Sequence, residues 1–147
     1  MGISADLALF RAKLNTAIDR AMESYVASAA VLKIADAVQS EVYDAYDPVM
    51  YQRRMGNGGL SDISPENIVS EYDAGTKTLI VRDMNRDDVT GRLVAPVVES
   101  GMGYQFKVDV GPRPFHKVAE ENMIADGDFE EALEFGLKSQ GFQVEKI

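Results

Sequence analysis

The chain has 147 residues, is 46% hydrophobic, and sets 15 Lys and Arg against 24 Asp and Glu for a net charge of −9. That length suits one domain with its own core. The charge disfavours a grip on nucleic acid or on anionic membrane, since both need an excess of cations. With no cysteine and a single histidine, disulfides, thiolate zinc sites, Cys nucleophiles and multi-imidazole metal centres are all excluded. No run approaches ~18 apolar residues, so no membrane-spanning helix is expected. The start of the chain lacks the basic and apolar regions of a secretory leader, and a place in the cytoplasm, or in a particle assembled there, is expected.

From Ile3 to Asp47 there is neither Gly nor Pro. Leu7, Phe10, Leu14, Ile18, Ala21, Tyr25, Ala29, Leu32, Ala35, Val38 and Val42 recur in steps of three and four, the spacing of one helix face. Ser4 is the expected N-cap, and Pro48 the expected stop. Some 40 residues at ~1.5 Å each make a helix of roughly 60 Å. A compact domain of this size is only roughly 30 Å across. The segment therefore either breaks into two helices or protrudes and packs on another subunit. Tyr46 to Pro65 follows as a long loop with the Gly56-Asn57-Gly58-Gly59 cluster, read as a flexible turn.

Asn67 to Asp83 reads as a β-hairpin around the turn signal Asp73-Ala74-Gly75-Thr76. Met84 to Thr90 is polar loop, and Arg92 to Ser100 is a short helix or an edge segment. Tyr104, Phe106, Val108 and Val110 alternate with polar residues, the period of a strand or extended arm. Phe115 to Ala125 is a short helix. Asp128 with Glu131 forms a capping box for another, and Gly141 sits where a C′ glycine belongs. Phe142 to Glu145 is a candidate final strand. The expected architecture is α+β in one domain, 1–147. A long helix or helix pair spans 1–47 and a loop 48–66. A β-rich part with a small antiparallel sheet spans 67–110, and two helices and a terminal strand span 115–147.

The chemical motifs are weak. Gly56 to Gly59 lacks the Lys-Ser/Thr and the preceding strand of a phosphate loop. Asp83-Met84-Asn85-Arg86-Asp87 starts like a calcium loop, but Asp88 and Val94 stand where that loop needs Gly and Glu. His116, beside Phe115, reads as a packing or hydrogen-bonding residue. The carboxylates from Glu120 to Glu134 read as solvated helix faces and caps. Tyr51-Gln52-Arg53-Arg54 is the one compact basic spot, suited to an interface or to anchoring the loop. No catalytic, cofactor-binding or metal-binding residues are assigned. A small carboxylate-dependent metal-binding enzyme and a cytoplasmic protein interacting through its helix stand as alternatives of other classes.

The order of several segments carries a resemblance. Val42-Tyr43-Asp44-Ala45-Tyr46-Asp47-Pro48 leads into Tyr51-Gln52-Arg53-Arg54-Met55-Gly56-Asn57-Gly58-Gly59-Leu60. Ala95-Pro96-Val97-Val98-Glu99-Ser100-Gly101, Pro112-Arg113-Pro114-Phe115 and Gly136-Leu137-Lys138-Ser139-Gln140-Gly141-Phe142 follow. In this order they resemble the small neck or tail-completion proteins of tailed bacteriophages. The resemblance implies a non-catalytic α+β virion subunit of the head–tail connection, working in a homo-oligomeric ring. Portal or adaptor and tail proteins would be its neighbours, and DNA would pass nearby without sequence-specific binding. It implies partner-facing roles for Tyr46, Tyr51, Arg53, Arg54, Leu60, Glu99, Arg113 and Phe115. Net negative charge fits a wall along which DNA slides.

Overall fold

A computed structural model describes residues 2–45, 54–103, 111–145 and 147. The architecture is α+β, and within the Gly- and Pro-free segment residues 3–43 form one unbroken rod. It consists of α1 (Ile3–Ala21), a π turn (Met22–Val26), α2 (Ala27–Val38) and a second π turn (Gln39–Tyr43). The rod is about 60 Å long. Each π turn is closed by an i→i−5 bond, from Ala27 N–H to Met22 O and from Asp44 N–H to Gln39 O. A wider turn holds one extra residue, so the buried face advances by five across it. The buried residues show that step twice: Ala21 to Val26 and Met22 to Ala27, then Ala37 to Val42 and Val38 to Tyr43. The uniform three-and-four stripe therefore slips off the core face, and its Tyr25 and Leu32 are exposed. The rod starts after Gly2, so Ser4 lies inside the first turn and caps nothing. The Pro48 stop lies outside the described residues.

The hairpin stands where the turn chemistry put it. β1 (Ile68–Asp73) pairs antiparallel with β2 (Thr78–Asp83), from Ile68 opposite Asp83 to Asp73 opposite Thr78. Asp73 Oδ1 accepts the Gly75 N–H at 2.8 Å, as a turn-forming Asp does. The polar stretch after β2 folds back on itself, with a bridge between Arg86 and Leu93. α3 (Ala95–Ser100) carries Pro96 in its first turn, where a missing N–H costs nothing. α4 is Phe115–Ala125 and α5 is Asp128–Ser139. Asp128 is not the cap of α5: Gly127, in the left-handed region, holds that position, and Asp128 pairs with Lys33 at 2.5 Å. The C-terminal cap is as expected. The Phe142 N–H reaches Leu137 O at 3.2 Å and the Gly141 N–H reaches Lys138 O at 3.0 Å, with Gly141 at φ 93°. Phe142 to Glu145 is not a strand. β1 and β2 are the only strands among the described residues, and Phe142 turns back toward Phe10 of α1, ring centroids 6.3 Å apart. The expected arm at Tyr104 to Val110 lies outside the described residues.

The core runs along one side of the rod. At its lower half Ile34, Ala37, Val38, Val42 and Tyr43 pack with Leu60, Ile68, Ala95, Val98, Phe115 and Ala119. Phe115 and Val38 are fully buried, each contributing about 1.5–3 kcal/mol of burial. Higher up, Met22 and Val26 pack with Met123, joined by Ile18, Tyr72, Leu79 and Leu133. α5 lies across α1 and the first π turn with Gly136 against the rod. Less covers the start of α1: Ile3 and Leu7 are exposed, and Phe10, half-exposed, has Phe142 beside it.

Candidate interaction surfaces

Three features carry the arrangement. The first is residues 54–67 of the loop before β1, which a network of hydrogen bonds ties together. Asn67, buried, donates through Nδ2 to Gly59 O at 3.0 Å and Asp62 O at 2.8 Å. Asn85, also buried, donates to Gly58 O and to Asn67 Oδ1, both at 2.8 Å. The Asp62 carboxylate accepts the Gly58 N–H at 2.7 Å and the Ser64 N–H at 2.9 Å. Those backbone donors hold its carboxyl below the usual carboxylate range. Arg54 closes the network, donating to Asp88 Oδ1 at 2.9 Å and to Asn85 Oδ1 and Arg86 O at 3.0 Å. Its guanidinium thus ties the loop to the turn after β2.

The second is a joint between α3, β2 and α4. The Asp83 N–H donates to His116 Nε2 at 2.8 Å. A backbone N–H can only donate, so Nε2 accepts and the imidazole proton sits on Nδ1. Nδ1 then donates to Glu99 Oε1 at 2.6 Å, and the same oxygen accepts the His116 N–H at 2.9 Å. Both ring nitrogens are used in holding chain segments together. Asp83 lies beneath, 3% exposed, with Oδ1 accepting the Asn85 N–H at 2.9 Å and no bond to Oδ2. Burial pushes its carboxyl up to about 7, against the opposing effect of the Asn85 N–H, with Glu99 and Asp62 adding repulsion. The calcium-like start at Asp83 is therefore a core residue with its side chain turned inward. Among the described residues no group of three or more His, Asp or Glu is placed to hold a metal ion.

The third is apolar surface along the rod. At its N-terminal end Ile3, Leu7 and Phe10 form one stripe, flanked by the exposed Arg11 and Lys13. Further along, an open groove of about 500 Å³ lies between α2 and α5, lined by Tyr25, Ala29, Leu32 and Phe135 with Asp36 and Glu131 at its edge. Tyr25 and Phe135 meet edge to face, ring centroids 5.1 Å apart. Beside the groove Lys33 is held by Asp126 and Asp128, at 2.7 and 2.5 Å, and its ammonium is pushed well above the usual lysine range. No helix among the described residues is long and apolar enough to cross a membrane.

Of the residues expected to face partners, Tyr46, Tyr51 and Arg53 lie outside the described residues. Arg54 is in the loop network. Leu60 and Phe115 are core residues of the chain itself, and Arg113 is 9% exposed. The Arg113 N–H donates to Val98 O at 3.1 Å. Glu99 is bound to His116. The structure thus gathers Glu99, Arg113 and Phe115 at one joint and Arg54 and Leu60 in one loop, as internal supports. Asn67, Asn85 and the exposed groove at Leu32 and Phe135 were not singled out by the sequence.

With this geometry in hand, the chain can be placed among known proteins. The family model described as YomN matches residues 6–139. The SPbeta prophage-derived protein YomN of Bacillus subtilis (strain 168) is 32% identical over 113 residues, which are 74% of this chain and 73% of that protein. No solved structure matches the chain. The chain belongs to the YomN family.

Proposed function

We propose that the chain is a structural subunit of a phage particle, a ring-forming adaptor or tail-completion protein at the head–tail junction that works by assembly and without catalysis. The observation that carries this reading is the rod. A helix about 60 Å long leaves Ile3 and Leu7 uncovered at one end, with Phe10 half-exposed beside Phe142, and Leu32 is exposed further along next to Phe135 of α5. Exposed apolar side chains grouped in this way are what a docking subunit offers its neighbours. The prophage origin of the Bacillus subtilis relative supports a particle as the setting. The locked loop and the Glu99–His116 joint supply a rigid body, so that docking orders little further chain. The neighbours would be further copies, a portal or adaptor protein, and a tail protein. An excess of nine negative charges lets DNA pass close by without adhering.

Deleting the coding sequence from the phage or prophage that carries it, and inspecting the lysate by electron microscopy, tests this. Filled heads and free tails, unjoined until the protein is resupplied, are expected. Normal joined particles in the deletion lysate would overturn the reading.

A further inference from the structure

We propose that the exposed N-terminal stripe of α1 in one copy seats in the groove between α2 and α5 of a second copy, head to tail. This rests on the assembly reading above and names the contact that would build it. The two surfaces match in shape and kind. The stripe projects Leu7 and Phe10, 49% and 52% exposed, from a narrow helix end, and the groove is a concave strip between two helices lined by Tyr25, Leu32 and Phe135. They also match in charge. On a chain of net charge −9 the stripe is flanked by two cations, Arg11 and Lys13, against one carboxylate, Asp6, whereas Asp36 and Glu131 edge the groove. The one lysine beside the groove, Lys33, is already matched within its own copy by Asp126 and Asp128. Opposite rims around apolar centres are how interfaces fix register and partner.

A second copy, and not the same one, must supply the stripe. Phe10 and Leu32 sit on the same unbroken rod, about 33 Å apart along its axis. No hinge separates them, since the π turn between them, Met22–Val26, keeps the helix continuous. A stripe docking into a different patch of an identical chain is a heterologous contact, which closes into a ring when the rotation per subunit allows. A single contact type then suffices to build the assembly.

The test is sedimentation velocity on the full chain, on Phe10→Glu, on Leu32→Glu, and on an equal mixture of the two variants. Both positions are exposed, and circular dichroism with thermal melting checks that each variant folds. The wild type is expected to self-associate. Each variant alone is expected to associate about thirtyfold more weakly or worse, the size of an interface hot spot. The mixture should form a species with one copy of each variant and nothing larger, because Phe10→Glu keeps an intact groove and Leu32→Glu an intact stripe. A second pair keeps the argument open to refutation should one variant misfold: Arg11→Glu with Lys13→Glu should lose association, and mixing with Asp36→Lys plus Glu131→Lys should restore it. A monomeric wild type, variants that still self-associate, or mixtures that stay monomeric would each overturn the contact. Failure here is distinct from failure of the junction role. If particles contain the chain while these variants still self-associate, only the contact is wrong. If the contact holds but particles lack the chain, only the junction role is wrong.

Discussion

Gly136→Ala sets two effects against each other and shows which one the fold obeys. In a free helix the change is favourable, since Ala exceeds Gly by about 1 kcal/mol in propensity. Here Gly136 is the buried residue of α5 and lies against the rod. A Cβ built on it would sit 2.6 Å from Ala21 Cβ, 2.9 Å from Tyr25 Cδ2 and 3.1 Å from Ala21 Cα. Carbon atoms rest about 3.5–4.0 Å apart, so α5 must lift by roughly 1 Å or tilt. Two of those three contacts are to atoms at or next to the rod backbone, which cannot rotate away. Overpacking of this kind costs about 1–3 kcal/mol. Lifting α5 also loosens Ala132 and Leu133, which pack on the upper core. The net expectation is destabilisation by about 1–2 kcal/mol, a melting temperature lower by about 3–6 °C. Differential scanning calorimetry reads this directly, and Gly2→Ala, with nothing within 4 Å of the added carbon, is the control. A melting temperature raised by Gly136→Ala would refute the packing of α5 on the rod. The same lift displaces Phe135 and Glu131, so self-association through the groove should weaken along with stability.

Three further outcomes follow from the loop and the joint. Asp83 is raised by burial to about 7 from 3.8. The folded state therefore holds its proton more tightly than the unfolded chain does, and its contribution to stability falls as pH rises from about 4 to 7. Asp83→Asn should remove that contribution, so the wild type should lose on the order of 3 kcal/mol relative to the variant between pH 4 and 8 in urea titrations; a constant difference would contradict the burial of this carboxyl. His116→Phe leaves the Asp83 N–H without its acceptor and Glu99 with only the backbone N–H of position 116, and should cost about 1–3 kcal/mol by chemical denaturation; a neutral change would show that the joint is not structural. Asn85→Ala strips the bonds to Gly58 O and Asn67 Oδ1 and one bond from Arg54, and should cost about 2–3 kcal/mol while opening the loop around Gly56 to limited proteolysis. An uncut loop in that variant would contradict its dependence on the asparagine pair.

What could be seen from the sequence was what local chemistry decides. The absence of Gly and Pro gave the rod, Asp73 to Thr76 gave the hairpin turn, and Gly141 gave the helix end. The short helix expected from Phe115 to Ala125 has those bounds as α4. What escaped depends on partners distant in the chain. The π turns add one residue each and carry no sequence signal of their own, so the stripe was placed a residue off and Tyr25 and Leu32 were assigned inward. Asp128 looked like a cap, but Lys33, far back in α2, claims it. Phe142 to Glu145 was a candidate strand; a strand needs a neighbour, and none pairs with it among the described residues. Asn67 and Asn85 lie in unrelated turns, and only the hairpin between them brings their side chains together. The residues expected at partner contacts split accordingly: Leu60 and Phe115 were expected to face partners, and both are buried in the core of the chain itself.

The central claim is that this chain's work is to dock within a particle. Quantitative mass spectrometry of purified particles, scaled to a major capsid protein of known copy number, measures it most directly. A small, fixed number of copies per particle is expected, the same in every preparation and equal to that of one ring. Absence of the chain from purified particles, or an amount that drifts with washing, would contradict it.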